Sequence, residues 1–229
     1  MTSIRAFSEI LKDGDLGPED RTRYAAIIHD EGTRLTRLLD DLIETSVLES
    51  GRIVVERRPV LLSEVLDRAV AAACPPGEGR LRLRLRRDPE AERIALVTDP
   101  GRLAQVFINL VSNAAKYCDA PAPELSIDAR RRSGSVEIDF VDNGRGIPAP
   151  DRALIFEKFS RLSDSTSAGG AGLGLAICRE IAARLGGRVD YVAGLGGAAF
   201  RVTLPAGAPG LADSLPDQPS SSGRSADRS

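Results

Sequence analysis

The sequence predicts an α+β fold in which an antiparallel helical hairpin precedes a domain of mixed strands and helices. Three observations carry that prediction. Apolar residues recur at helical spacing as far as Leu48, interrupted by Gly14 and the Gly17-Pro18 pair. From Ile53 onward, short runs with strand periodicity alternate with longer helical runs. Toward the C-terminus a cluster of glycines leads straight into a helical run at Leu173.

In the first helix Ile4, Phe7 and Leu11 share a face. The second spans residues 19–48, with Ile28, Leu35, Leu38 and Leu42 on one seam and Gly51 beyond its end. Such a stripe is too exposed for an isolated hairpin, so pairing with a second copy of the chain or with a missing partner segment is expected. A strand follows at 53–55, then a helix at 62–73 capped by Ser63 or a near neighbour, then strands at 81–85 and 94–97. Residues 102–117 form a strongly periodic helix, and strands at 125–129 and 136–141 turn at Ser133-Gly134. A short helix near 153–159 and a Gly/Ser-rich segment lead into a helix at 173–185, and strands at 188–192 and 198–204 flank a glycine-rich turn. After Pro205 bulky residues almost vanish, which predicts a disordered tail. The expected organisation is therefore a hairpin over 1–52, a second domain over 53–206 and a tail over 207–229.

Composition excludes several classes. With 31 basic and 33 acidic residues there is no global basic field for nucleic acid. The one basic run, Arg80, Arg82, Arg84, Arg86 and Arg87, alternates with Leu81, Leu83 and Leu85, the period of a strand with one solvated face. No window approaches the roughly 18 apolar residues of a membrane span, and Met1 does not open onto a signal-peptide pattern. Cys74, Cys118 and Cys178 are far apart and odd in number, which points to neither a disulfide framework nor a zinc site. A cytoplasmic chain with no membrane contact of its own and no nucleic-acid partner is expected, a pattern that a membrane-anchored parent lacking its front end would share.

Three motifs carry chemistry. The helix over 102–117 places Asn109 and Asn113 four apart, with Lys116 and Tyr117 one turn on. Amide oxygens suit a hard cation that keeps waters and phosphate oxygens, and Lys116 supplies a point charge for phosphate. Alone, the pair better suits capping or polar-core amides. Next, a strand runs into Asp142-Asn143-Gly144-Arg145-Gly146-Ile147. A buried carboxylate there can accept from an adenine amino group while the glycines let the backbone approach a purine, although the same residues suit an ordinary turn. Third, Gly169, Gly170, Gly172 and Gly174 open onto the helix at Leu173, and backbone N–H groups at such a helix start form an anion site. A dinucleotide-type reading fails, because no strand directly precedes these glycines and no βαβ unit with an acidic residue follows.

These segments together resemble the sensor histidine kinase family of the GHKL ATP-binding superfamily. Residues 105–117 look like its asparagine box, 142–146 like its first glycine box, 155–159 like its phenylalanine box and 170–175 like its second glycine box. Residues 200–205 are similar to the family's closing strand, so the resemblance covers nearly everything up to Pro205. It implies a two-layer α/β sandwich of the Bergerat type and an ATP site drawn from Asn109, Asn113, Lys116, Tyr117, Asp142, Gly144, Gly146, Ile147, Lys158, Gly170, Gly172, Leu173 and Gly174. Within that set Asn113 and Asn109 are implied to hold Mg²⁺, Asp142 to read adenine, and residues 160–171 to form a lid. Lys158 and Arg161 beside the lid are either phosphate contacts or solvated surface charges. Phe156 and Phe159 are expected to anchor the lid to the core.

The resemblance also bears on the reaction. Superfamily members that hydrolyse ATP carry a carboxylate four residues before the metal-binding asparagine, where this chain has Asn109. A neutral amide cannot take a proton from water, which favours phosphoryl transfer to a protein histidine. The family's acceptor histidine, followed by an acid and a spaced proline, would lie upstream of Met1, since residues 2–7 look like the stretch just after that box. His29 is followed by Asp30, but Arg34 stands at the proline position, and it is read as an exposed helical residue. The expectation is thus a histidine kinase region with no catalytic residue of its own, unable to autophosphorylate, partnered by a second copy and a response regulator. The alternative is a nucleotide-binding interaction module without phosphotransfer. A serine kinase of the anti-sigma type shares the site, but the hairpin argues against it.

Overall fold

The computed structural model describes residues 2–14, 16–49, 55–74, 80–86, 93–160 and 172–207. Two helices come first, α1 (Thr2–Asp13) and α2 (Pro18–Glu49). They pack antiparallel, with Phe7 stacked on Tyr24 at 5.2 Å between ring centroids. The turn between them forms because the Gly14 N–H donates to the Ile10 carbonyl at 2.9 Å, where a Cβ would stand only 2.6 Å from that oxygen. Half-buried Ile4, Phe7, Leu11, Ile28 and Leu35 lie on the faces that the periodicity assigns them, while the side chains of Leu38 and Leu42 fall outside the described ones.

The remaining elements are β1 (Arg58–Leu61), α3 (Leu62–Ala73), β2 (Arg82–Arg86), β3 (Ala95–Thr98), α4 (Pro100–Tyr117), β4 (Glu124–Arg132), β5 (Ser135–Asp142), α5 (Gly174–Arg184), β6 (Arg188–Tyr191) and β7 (Ala199–Pro205). Strands β1 and β3 pair antiparallel as a small sheet. The main sheet runs β2-β4-β5-β7-β6, with only β2–β4 parallel. Strict alternation sorts its faces. Leu125, Ile127, Ala129, Val136, Ile138, Phe140, Val189, Val202 and Leu204 turn inward against Leu103, Val106, Phe107, Leu110, Ile177 and Ile181 of the helices. Phe107 meets Phe140 at 5.3 Å between centroids. Each of the large side chains in this set, Ala129 aside, contributes about 1.5–3 kcal/mol, so the two layers are held by this seam.

The outward face is charged. Arg130 reaches Glu137 and Asp139, each at 2.8 Å, and Arg201 grips Asp139 from β7. Asp139 is only 5% exposed although it points away from the core. Burial alone pushes its carboxyl up, but the bonds from Arg201 and Arg130 outweigh this and hold it below the usual range. Its own bond raises Arg201 in return.

Helix α4 starts where it does because Asp99 Oδ1 accepts from the Gly101 and Arg102 N–H groups, both at 3.0 Å, with Pro100 at the first helical position. Four expectations are corrected. Val55 is not in a strand, and residues 53–54 lie outside the described ones; the strand is β1, where Pro59 is tolerated because a two-stranded sheet consists of edges. Helix α3 has Leu61, not Ser63, at its cap position, with no side-chain capping bond. The expected helix at 153–159 is a 3₁₀ turn over Ala149–Asp151 followed by further turns, in which the Leu154, Glu157 and Ser160 N–H groups each bond three residues back and Phe159 breaks the run at φ 63°. Phe159 is 62% exposed, so only Phe156 packs on the core, edge-on to Phe200. Among the described residues no helix is long and apolar enough to cross a membrane.

Candidate functional site

Asp142 closes β5 with its side chain buried. Its Oδ1 accepts from the Gly144 N–H at 2.9 Å and the Ala198 N–H at 2.8 Å. Oδ2 makes no hydrogen bond among the described residues, so one carboxylate oxygen stays available to a donor from outside. Gly197 packs directly on the Asp142 carbonyl and carboxylate, where any Cβ would collide. Gly146, at φ 75°, sits against Gly197 and the Tyr191 hydroxyl, which accepts from the Ile147 N–H at 3.4 Å. Next to it Asn143 stitches the strand ends: its Oδ1 accepts from the Glu124 N–H at 2.8 Å and the Cys118 thiol at 3.2 Å.

The second cluster lies where α4 meets α5. A Cβ on Gly174 would stand 4.0 Å from Asn109 Cγ, so the first residue of α5 lies on the Asn109 amide. Asn109 and Asn113 are half-buried, and neither side-chain amide is bonded to a described residue. The start of α5 carries no side-chain cap, which leaves its first N–H groups unclaimed by a neighbouring side chain. Leu173 is buried beneath them. Helix α4 joins the two clusters, with Asn109 at one and Cys118 at the other, about 13 Å along the axis.

Gly172, at φ 71°, accepts at its carbonyl from the Phe159 N–H at 3.0 Å, and a Cβ there would meet the Ser160 carbonyl at 2.5 Å. The two ends flanking residues 161–171 are therefore clasped together. Gly170, Arg161 and most of the expected lid lie outside the described residues. Lys116, Tyr117 and Lys158 are exposed.

The model of the "His Kinase A (phospho-acceptor) domain" matches residues 1–51, and that of the "Histidine kinase-, DNA gyrase B-, and HSP90-like ATPase" matches residues 98–208. The chain belongs to the sensor histidine kinase family. Sensor protein KdpD of Escherichia coli is 36% identical to this chain over 184 residues, covering 80% of the chain but 20% of KdpD. Sensor protein VanS of Enterococcus faecium is 32% identical over 209 residues, 90% of the chain and 53% of VanS. The chain thus spans about a fifth to a half of these relatives. Full-length ShkA in complex with AMPPNP superposes with a TM-score of 0.66 at 27% identity, over 90% of this chain and 43% of that one.

The sequence reading missed four contributors to this site. Gly197 and Ala198 hold Asp142 from β7, and Asp119 accepts from the Arg145 N–H at 2.9 Å and pairs with its guanidinium at 3.3 Å. Asn143 fastens the loop between α4 and β4 through the Ala122 carbonyl at 2.9 Å. Of these Gly197 left a trace in the glycine-rich turn before β7, and Asn143 in the 142–146 box. The others depend on which loops the sheet brings together.

Proposed function

We propose that this chain binds Mg-ATP between α4 and α5 and transfers the γ-phosphoryl group to a histidine in two-component signalling. The observation that carries the reading is the seat of Gly174 on Asn109, which sets unengaged amides against the uncapped start of a helix. The donor set suits a hard cation shared with phosphate: neutral oxygens from Asn109 and Asn113, with no cluster of three His, Cys, Asp or Glu among the described residues to build an all-protein cage. When bound, Mg²⁺ supplies charge neutralisation at the phosphates.

The chain's own residues do the rest. Asp142 Oδ2 accepts from the adenine amino group while the Gly144 and Ala198 N–H groups fix the carboxylate. Gly144 and Gly146 admit the purine, with Ile147 and Tyr117 along its faces. The N–H groups at Leu173 and Gly174 receive phosphate oxygens, with Gly170, Gly172, Lys116 and Lys158 contributing nearby. Asn109 offers no carboxylate to deprotonate water, which leaves phosphoryl transfer to a positioned side chain. The hairpin over 1–52 serves as the dimer element, 53–206 as the catalytic domain and 207–229 as a tail, with a response regulator as downstream partner. The match of the phospho-acceptor model to residues 1–51 supports the first of these.

Titration with a fluorescent ATP analogue tests the site. Binding should require Mg²⁺, and Asn113→Asp and Asp142→Asn should each weaken it at least tenfold; undiminished affinity in both sinks the reading. One observation favours a second reading, a nucleotide-binding module without transfer: the only histidine, His29, is exposed on α2 and followed by Arg34 at the position of the family's proline. Labelled ATP separates the two. Acid-labile label on an added histidine-bearing hairpin supports transfer, whereas bound nucleotide without label supports the module.

A further inference from the structure

Helices α4 and α5 run antiparallel, and two contacts fix their register. Asn109 lies by Gly174 and the Cys178 thiol points to the Val106 carbonyl at 3.7 Å, a register that brings the start of α4 toward the end of α5. That last end, remote from the nucleotide, is held by two consecutive residues of the segment leaving α2. The Glu56 N–H donates to Asp99 Oδ2 at 3.2 Å, while Asp99 Oδ1 caps α4. The Arg57 guanidinium donates to the Arg184 carbonyl at 3.1 Å. That carbonyl belongs to the last turn of α5, where no intrahelical partner exists and a cation is favoured. Helix α2 itself also touches α5.

We propose that Glu56 and Arg57 form a latch that ties the exit of the helical hairpin to the far end of the α4–α5 pair, and so sets how firmly the nucleotide end is held. Each latched end lies about 15 Å along its helix from the ligand-facing residues, Asn109 on α4 and Gly174 on α5. Packed helices pass such a displacement along their length because their interface is not continuously deformable. Arg57 is a positioning residue. The ligand at the far end rests on the nucleotide reading above; the latch rests on the contacts alone.

Hydrogen exchange on the full chain without nucleotide tests it, comparing wild type with Arg57→Ala, Arg57→Lys and Asp99→Asn. Asparagine keeps an oxygen for the α4 cap and replaces the Glu56 acceptor with a donor. Arg57→Ala and Asp99→Asn should speed exchange about tenfold both at the latched ends and at the amides around Asn109 and Gly174. Arg57→Lys, whose ammonium reaches the same carbonyl, should restore the wild-type pattern. Faster exchange confined to the latched ends is ordinary fraying and overturns the coupling, as does no change anywhere. In a second arm, Arg57→Ala should weaken the Mg-ATP analogue about threefold with lysine rescuing it; unchanged affinity also overturns the proposal. Wild-type protein that binds no nucleotide sinks the functional reading instead, and the exchange at Asn109 and Gly174 then decides the latch.

Discussion

Arg201 holds Asp139 with two hydrogen bonds across the β5–β7 pair, Nε to Oδ1 at 2.6 Å and Nη2 to Oδ2 at 3.0 Å. Arg130 approaches the same carboxylate from β4 at 2.8 Å, so one acid on the outer face serves two bases.

Asp139→Asn leaves both guanidiniums facing a neutral amide. Breaking a buried pair on one side costs about 3–5 kcal/mol, and partial solvation of both arginines lowers this to about 2 kcal/mol. The pH dependence follows from the lowered carboxyl. A depressed folded-state pKa gives stability that is complete above the unfolded value and lost as pH falls through the folded one. Urea midpoints should therefore separate wild type from Asp139→Asn at pH 7 and converge below about pH 4. A gap that persists undiminished into acid contradicts the assignment.

Gly197→Ala puts a methyl group into the Asp142 carboxylate and carbonyl. The strand end must shift, at about 1–3 kcal/mol, and Asp142 must leave its two N–H donors. Thermal melts should show modest destabilisation, while nucleotide titrations should show a larger loss for adenine than for guanine nucleotides. Equal losses for both would remove Asp142 as the reader of the base.

Gly172→Ala meets two obstacles, the left-handed backbone at φ 71° and the Ser160 carbonyl 2.5 Å from the new Cβ. The conformational term alone is about 1–2 kcal/mol. Calorimetry should record a loss at least that large, with Gly172→Asn milder in the backbone term than Gly172→Ala.

Cysteine labelling should be strongly graded. Cys178 is fully buried between α4 and α5, whereas Cys118 is half-buried at the end of α4. Cys74 is also half-buried, and burial pushes its thiol up, which lowers its thiolate fraction near neutral pH. In native buffer Cys118 should react with a disulfide reagent and Cys178 only at the rate of global unfolding. Fast reaction at Cys178 would show that the α4–α5 seam opens locally.

Local periodicity located most elements because each pattern buries a continuous face. The helix at 102–117 and the strands at 125–129 and 136–141 appear where expected, slightly longer, as α4, β4 and β5. The structure brings Gly174 beside Asn109 and buries Asp142 at the end of β5, positions to which ordered motifs point. Phe159 and the segment at 153–159 were not legible, since turns that close over three residues and a positive φ at Phe159 replace the α-helix there. Arg57 left no signal at all. Its partner, the Arg184 carbonyl, is a backbone atom, and only the packed helix pair brings the two together.

Strand order has a consequence for biosynthesis. Among the described residues β7 is the last strand, yet it lies inside the sheet, hydrogen-bonded to β5 on one side and β6 on the other. A nascent chain therefore exposes the unpaired edge of β5 until its final strand has cleared the ribosome, and then closes the sheet from the middle. Translation halted before Ala199 yields no smaller working module, only an open edge suited to aggregation and to chaperone capture.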